Sequence, residues 1–468
     1  MGYAARLFNG NAEQTLYRRV TPTEVQREFL RKQWNDLADH LKEKLAGWGY
    51  PVSTWLQGSY KYGTLIRPVH AGEEYDVDVG IYFSWSAQDT NVSPTAEQLR
   101  DWVQSDLLAY KKLNDDVKEI TEPPKERCSR AVYEQQFHID TPTYHLDPIT
   151  DIRRLACLSG NWEPSDPKAL YKWFKDVVGP ESREQLRRLI RYLKGWAAVA
   201  FVDTAEARPS SILLTVLASE AFLGLWGNVS AANADDTALA SIIEVIYGRL
   251  TDNRKVLNPV DKNEDLNRIP EASWNAFVTR MTVLYEASQA AVEAEDEASA
   301  ALAWEGALSF LMPLPDNADE VEVEGEVGRA LMQVPDIRIE VCEKFDGIAL
   351  ATYTNEVPSV PKGRWLKFSI ANMQIVPGFA DIAWTVRNDG EEADYIGDLG
   401  HFNHGIGMVT NWERTAYLGR HYMDCVIRCN GSIYAVRRVP VNIRSEQRLL
   451  AQGQRNWTKL RTRRGRRK

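Results

Sequence analysis

Apolar residues recur every three or four positions through Leu30, Trp34, Leu37, Leu41, Leu45 and Trp48, and the pattern stops at Gly49. That period predicts one long amphipathic helix. Ahead of it, Thr21-Pro22-Thr23-Glu24 reads as the capping box, with proline at the first helical position. The period then drops to two: Tyr75-Asp76-Val77-Asp78-Val79-Gly80-Ile81-Tyr82-Phe83 alternates as a strand does. Between the two lies Gln57-Gly58-Ser59-Tyr60-Lys61-Tyr62-Gly63-Thr64, a polar turn with two glycines. The gap to Asp76 leaves room for a helical turn over 62–66 and a loop over 68–74. Further on, 94–109 reads as helix and 133–143 as one strand. Asp166-Pro167 starts a helix, and Ser182 with Gln185 caps another, whose apolar face is Leu186, Leu189, Ile190, Leu193 and Ala197. Ser210 to Leu217 opens a nearly all-apolar helix, and 274–310 predicts one or two more.

Near Pro313-Leu314-Pro315-Asp316 the pattern changes. The acidic stretch 316–326 lacks an apolar face and reads as a linker. Beyond it, 337–341, 365–370, 382–386, 422–428 and 433–443 are short alternating runs between Gly, Asn and Asp turns, as in a small antiparallel sandwich. The expected fold is α+β: a mixed-sheet core with a helical half, then an antiparallel β-sandwich. The expected divisions are a domain over 1–165, a helical domain over 166–313, a linker over 314–330, a β domain over 331–446 and a tail over 447–468.

Composition narrows the classes. With 468 residues, 44% of them apolar and 15 tryptophans, the chain can bury more than one core. No run reaches membrane-span length and the start has no apolar signal core, so a cytoplasmic protein with no membrane partner is expected. The five cysteines show no paired metal spacing, and Cys425 and Cys429 read as small apolar groups. A net charge of −9 argues against a surface devoted to nucleic acid. The exception is the basic run from Lys459 to Lys468, a solvated tail with at most non-specific affinity for polyphosphate or nucleic acid.

The chemistry concentrates in the first half. Strand geometry puts Asp76 and Asp78 on one face, roughly 7 Å apart along the chain. Two carboxylates so placed can share hard cations, and the glycine turn brings backbone N–H groups close to an anion such as a triphosphate. Phe137-His138-Ile139-Asp140-Thr141-Pro142 supplies a third acid on a short apolar run, with His138 and His145 read as structural. Arg187, Arg191 and Lys194 line up along one side of their helix, either as a solvated face or as a stripe facing the triphosphate.

Gly58-Ser59, Asp76-x-Asp78, Asp140, the Arg191-Tyr192-Leu193-Lys194-Gly195-Trp196 run and Ser210-Ser211 together resemble the bacterial cyclic-GMP-AMP-synthase and dinucleotide-synthase-like nucleotidyltransferases, built on a polymerase-β-like core. Trp365 to Phe368, Ile382 to Gly390 and Tyr417 to Tyr422 resemble the adenylyl/guanylyl cyclase and SMODS-associated C-terminal sensor domain. The resemblance implies that Gly58 and Ser59 bind a donor triphosphate, with Lys194, Arg191, Arg187 and Ser211 also nucleotide-facing. It implies that Asp76, Asp78 and Asp140 hold two Mg²⁺, with Mn²⁺ as a substitute, and that Asp140 helps deprotonate the attacking hydroxyl. The implied substrates are NTPs, ATP or GTP first, and the implied product is a cyclic di- or trinucleotide messenger, typically in anti-phage defence. An activating ligand at the β domain and an effector that binds the product are implied partners. Three other readings use the same residues: a linear oligonucleotide synthase, transfer of a nucleotide to tRNA or protein, which the basic tail favours, and an idle core beside a ligand-binding regulator.

Overall fold

The computed structural model describes residues 2–86, 93–134, 136–225, 234–315, 334–429 and 432–446; the acidic run 316–326 and the basic tail lie outside them. Two compact units emerge: Met1–Pro68 with Gly72–Gln289, and Val69–Ala71 with Ala290–Lys468. The division therefore falls ahead of the acidic run.

The first unit is built on strands β1 (Val52–Gln57), β2 (Tyr75–Ser84), β3 (Val117–Ile120), β4 (Ser129–Tyr133), β5 (Phe137–Thr141), β6 (Thr143–Leu146), β7 (Arg153–Ala156) and β8 (Trp162–Pro164). Their order is β3-β4-β5-β2-β6-β7-β8, with β1 also on β2. The sheet is mixed, because β2 runs parallel to β5 and β6 but antiparallel to β1. Alternation decides what faces where. Val77, Val79, Ile81 and Phe83 of β2 and Phe137 and Ile139 of β5 pack with Leu30, Leu37 and Leu41 of the Glu24–Leu45 helix and Leu99, Val103 and Leu107 of the Ala96–Lys111 helix. Each such side chain contributes about 1.5–3 kcal/mol on burial. The intervening Asp76, Asp78, His138 and Asp140 are thereby turned to the opposite face of the sheet.

Four local expectations are corrected. The long helix starts at Glu24 with Thr23 as N-cap and Gln26 closing the box, because Thr21 already serves as C-cap of the Leu16–Val20 helix. The helical turn near the glycines spans Gly58–Tyr62 rather than 62–66, and Gly63 ends it at φ 72°. The single strand expected over 133–143 is a hairpin, broken where Gln136 turns at φ 57°. Ser182 lies inside a helix that begins at Pro180, with Gly179 as N-cap, since proline suits the first helical position. That Pro180–Ala200 helix is largely buried among the helices of the same unit. Where one or two helices are expected over 274–310 there are two, Trp274–Glu293 and Glu297–Leu308.

The second unit stacks two sheets. Strands β9 (Ile337–Cys342), β10 (Ala349–Thr354), β11 (Val357–Pro361), β12 (Trp365–Ile370), β13 (Asp381–Arg387), β14 (Gly400–Ile406), β15 (Thr410–Arg414), β16 (Gly419–Cys429) and β17 (Ser432–Arg444) form the orders β10-β9-β12-β15 and β11-β17-β16-β13-β14. All pairs are antiparallel except β11 with β17, a parallel edge that short-range alternation does not reveal. The core between the sheets contains Ile339, Phe368, Trp384, Cys425 and Val439. The Glu297–Leu308 helix belongs here: Glu305 accepts from Arg428 (2.8 Å) and Thr385 (3.3 Å). No helix among the described residues is long and apolar enough to cross a membrane.

Candidate active site

Asp78 is the hinge of the constellation. Its Cα partner across the antiparallel pair is Gln57, the residue before the glycine turn, and its partner across the parallel pair is Asp140. One register thus brings the turn, the acidic strand and the third acid together. Gln57 is locked in place, donating to the Tyr82 hydroxyl (2.8 Å) and accepting from that of Tyr144 (3.2 Å). Gly58 has φ 59°, and a Cβ there would stand 1.9 Å from Asp78 Oδ2. Only glycine meets both demands: the left-handed backbone, and a carboxylate packed against its Cα. Ser59 follows, half-buried, in the first turn of the short helix.

The acids differ in their surroundings. Asp140 receives a two-pronged contact from Arg130 of β4, directly opposite it, at 2.5 and 2.8 Å, with Lys125 Nζ at 3.7 Å. Burial works against its charge, yet Arg130 prevails and holds the carboxyl below the usual carboxylate range. Asp78 goes the other way: desolvation first, then Asp76 and Asp140, push its pKa well up. Asp76 is exposed and accepts from His138 Nε2 (2.9 Å), while the other ring nitrogen lies 2.7 Å from Glu74. Ligand atoms of Asp76, His138 and Asp140 all fall within 4.8 Å of one another, which suits a shared cation. Asp78, driven toward its neutral form by burial first and by its two neighbours next, completes a crowded set of carboxyls of the kind that binds hard cations.

The basic helix face meets the back of the turn. Arg187 donates to Tyr62 O (2.8 Å) and also pairs with Glu184. Lys194 donates to Thr64 O (3.2 Å) and Oγ1 (3.1 Å). Arg191 lies between them in the helix, with its guanidinium 5.5 Å from the centre of the Tyr17 ring and its buried Nε without a hydrogen-bond partner. Ser211 stands exposed in the first turn of the Ser211–Gly224 helix, one residue after the actual cap, Ser210, and no hydrogen bond joins its side chain to the acids or the turn. The sequence reading missed Arg130, Lys125, Glu74 and the bridging place of His138. Of these only Arg130 left a trace, an arginine in a short β-branched and aromatic run just before the polar break at Glu134.

Lys194 gives a pH signature. Burial first, and Arg191 next, pull its ammonium down to about 7, whereas an unfolded lysine holds its proton to about 10.4. Between those values the unfolded chain binds more protons, so this group adds stability as pH rises, by at most about 1.4 kcal/mol per pH unit. Urea denaturation of the wild type and Lys194→Met at pH 7, 8 and 9 should show the wild type gaining on the variant at each step. A difference that stays constant with pH would contradict a buried ammonium.

With the geometry in place, known proteins supply a frame. Residues 52–144, which include the turn, all three acids and Arg130, match the family model described as Cyclic GMP-AMP synthase DncV-like, nucleotidyltransferase domain. Residues 329–444 match the Adenylyl/Guanylyl and SMODS C-terminal sensor domain. A protein of Escherichia albertii named Cyclic GMP-AMP synthase is 26% identical over 440 residues, 93% of this chain and 94% of that one. A c-di-GMP synthase of Roseivirga ehrenbergii is 23% identical over 299 residues, 56% of this chain and 74% of its own. In fold, the chain is similar to Vibrio cholerae DncV cyclic AMP-GMP synthase in complex with the linear intermediate 5' pppA(3',5')pG, with TM-score 0.53, 18% identity, and 67% of this chain and 96% of that one covered. The 3'-deoxy ATP bound form of Vibrio cholerae DncV aligns with TM-score 0.55 at 19% identity, covering 67% of this chain and 96% of that chain.

Proposed function

Starting from a chain that carries a DncV-like nucleotidyltransferase domain and a C-terminal sensor domain of the adenylyl/guanylyl and SMODS kind, we propose a metal-dependent synthase that joins NTPs into a cyclic di- or trinucleotide. The observation that carries this reading is the register that sets Asp78 beside both Gln57 and Asp140. ATP and GTP are the proposed substrates, since the relative that spans 93% of the chain is named for making cyclic GMP-AMP.

In each round a ribose hydroxyl attacks the α-phosphorus of a bound NTP, the bond to the β-phosphate breaks, pyrophosphate leaves, and the hydroxyl proton passes to solvent. The last round, the second for a dinucleotide and the third for a trinucleotide, is an attack within the linear product on its own triphosphate and closes the ring. Asp76, Asp78 and Asp140 are the proposed ligands of two Mg²⁺, for which Mn²⁺ can substitute. Bound there, the ions would make the hydroxyl more acidic and neutralise charge on the leaving pyrophosphate. Hard cations prefer oxygen, so His138 is assigned to orienting Asp76 rather than to ligation. Arg130 gives Asp140 a low proton affinity, which suits a ligand better than a base acting unaided. Backbone N–H groups at Gly58 and Ser59 would cradle the triphosphate, while Arg187 and Lys194 hold that turn in shape from behind.

Purified protein incubated with all four NTPs and Mg²⁺ or Mn²⁺ should form a product that resists phosphatase and contains no free terminal phosphate by mass spectrometry. A phosphatase-sensitive product would mean a linear oligonucleotide. Label transferred to tRNA or protein would replace this reading with macromolecular modification, and absence of any turnover would favour the idle core.

A further inference from the structure

The C-terminal unit contains a cleft of ≈ 180 Å³ between its two sheets. Leu366 and Phe368 of β12 form one wall, and Val386, Met423 and Val441 from β13, β16 and β17 form the other. Sheets packed face to face normally interdigitate and leave no void much larger than a water molecule. A space of this size with an apolar floor is more than close packing leaves, and has room for a small, compact molecule rather than a large one.

Most polar groups at the rim are already committed. His421 donates to Tyr417 O (2.9 Å) and accepts from the Asp389 N–H (3.3 Å), so both ring nitrogens are used. Tyr417 donates to Asp398 Oδ2 (2.7 Å), and Oδ1 accepts from the Gly400 N–H (3.2 Å). Thr415 bridges the backbones of Pro361 (2.9 Å) and Arg364 (2.8 Å). These contacts stiffen the mouth without reaching into it. Glu413 is different. His401 (3.0 Å) and Asn411 (2.9 Å) both approach Oε1, no hydrogen bond reaches Oε2, and the side chain is only 17% exposed.

The charge balance also selects. Two carboxylates, Asp398 and Glu413, line the cleft with the exposed Arg414 and with His401, which the hydrogen bond to Glu413 Oε1 draws toward its protonated form. Sites for phosphate instead gather cations and backbone N–H groups. We propose that this cleft is the ligand site of the C-terminal unit, and that it takes a small molecule with a flat apolar body and an ammonium or N–H donor directed at Glu413 Oε2.

The test uses the full chain and three matched probes: tryptamine, indole and indole-3-acetate, followed by calorimetry and ligand-observed NMR. Tryptamine should bind, and indole-3-acetate should bind at least tenfold more weakly. Glu413→Gln should weaken tryptamine about tenfold and leave indole unchanged. Val386→Trp, which fills the cleft, should remove binding of all three; circular dichroism and thermal melting verify that both variants are folded. Absence of tryptamine binding, equal binding of the acetate, or indifference to Glu413→Gln would each overturn the proposal. Binding is read without turnover, so its failure would leave the nucleotidyltransferase reading untouched.

Discussion

Asp78→Asn is expected to abolish product formation, by ~10³-fold or more, while making the metal-free protein more stable. The two effects have one cause. Desolvation and the neighbouring Asp76 and Asp140 raise the Asp78 pKa, so the folded state holds a proton that the unfolded chain has lost at the same pH. For such a group stability is fullest at low pH and falls as pH rises through the raised pKa. A neutral amide escapes that loss, so the metal-free variant should melt above the wild type once the pH is above the ordinary carboxylate range. Thermal melts in EDTA beside product assays in Mg²⁺ measure both quantities. An active variant would show that the Asp78 carboxylate is not needed for the reaction, and an inactive one that melts well below the wild type would show a structural role instead.

The largest stability effect is expected in the other unit. Arg387 and Asp424 are almost wholly buried and meet at 2.6 Å, and Arg387 also donates to Ser309 O (3.0 Å) and Met312 O just after the Glu297–Leu308 helix. Arg387→Met strips the buried Asp424 of its 2.6 Å partner, leaving it only Arg438 Nε at 3.6 Å, and also removes the 3.6 Å pairing with Glu305, a loss of about 3–5 kcal/mol. The calorimetric transition of that unit should drop by roughly 10 °C. Replacing both residues, Arg387→Met with Asp424→Leu, should restore part of the loss, because an apolar pair carries no desolvation penalty while Arg438 loses Asp424 and Glu305 keeps Arg428. Equal melting of the single and double variants would mean that the arginine's contacts to Ser309 and Met312, not the ion pair, hold this corner.

The acids were legible because their information is local. Period two in β2 hides Val77 and Val79 in the core and so forces Asp76 and Asp78 to the other face, whatever the rest of the chain does. Asp140 was found the same way, as the acid on an apolar run. Its neighbour Arg130 depends on a hairpin register, and nothing within β4 alone says which residue stands opposite. The basic face of the Pro180–Ala200 helix was visible as spacing, but its targets, the carbonyls of Tyr62 and Thr64, lie more than a hundred positions away in sequence and only folding brings them near. The C-terminal strands were legible from alternation and turn residues. Their sheet order, with β11 parallel to β17, was not, because a parallel edge is set by a crossover rather than by the residues in the strand. Misplaced caps at Thr21 and Ser182 have a common source: a better N-terminal signal, Thr23 in one case and Pro180 in the other, lay two residues away.

The most direct test is to crystallise the protein with Mn²⁺ and a non-hydrolysable ATP and to locate the ions by anomalous scattering. Peaks within about 2.0–2.3 Å of carboxylate oxygens from Asp76, Asp78 and Asp140, with the triphosphate against Gly58 and Ser59, are the predicted result. Ions bound elsewhere, or Asp140 still wholly engaged by Arg130 with no metal beside it, would contradict it.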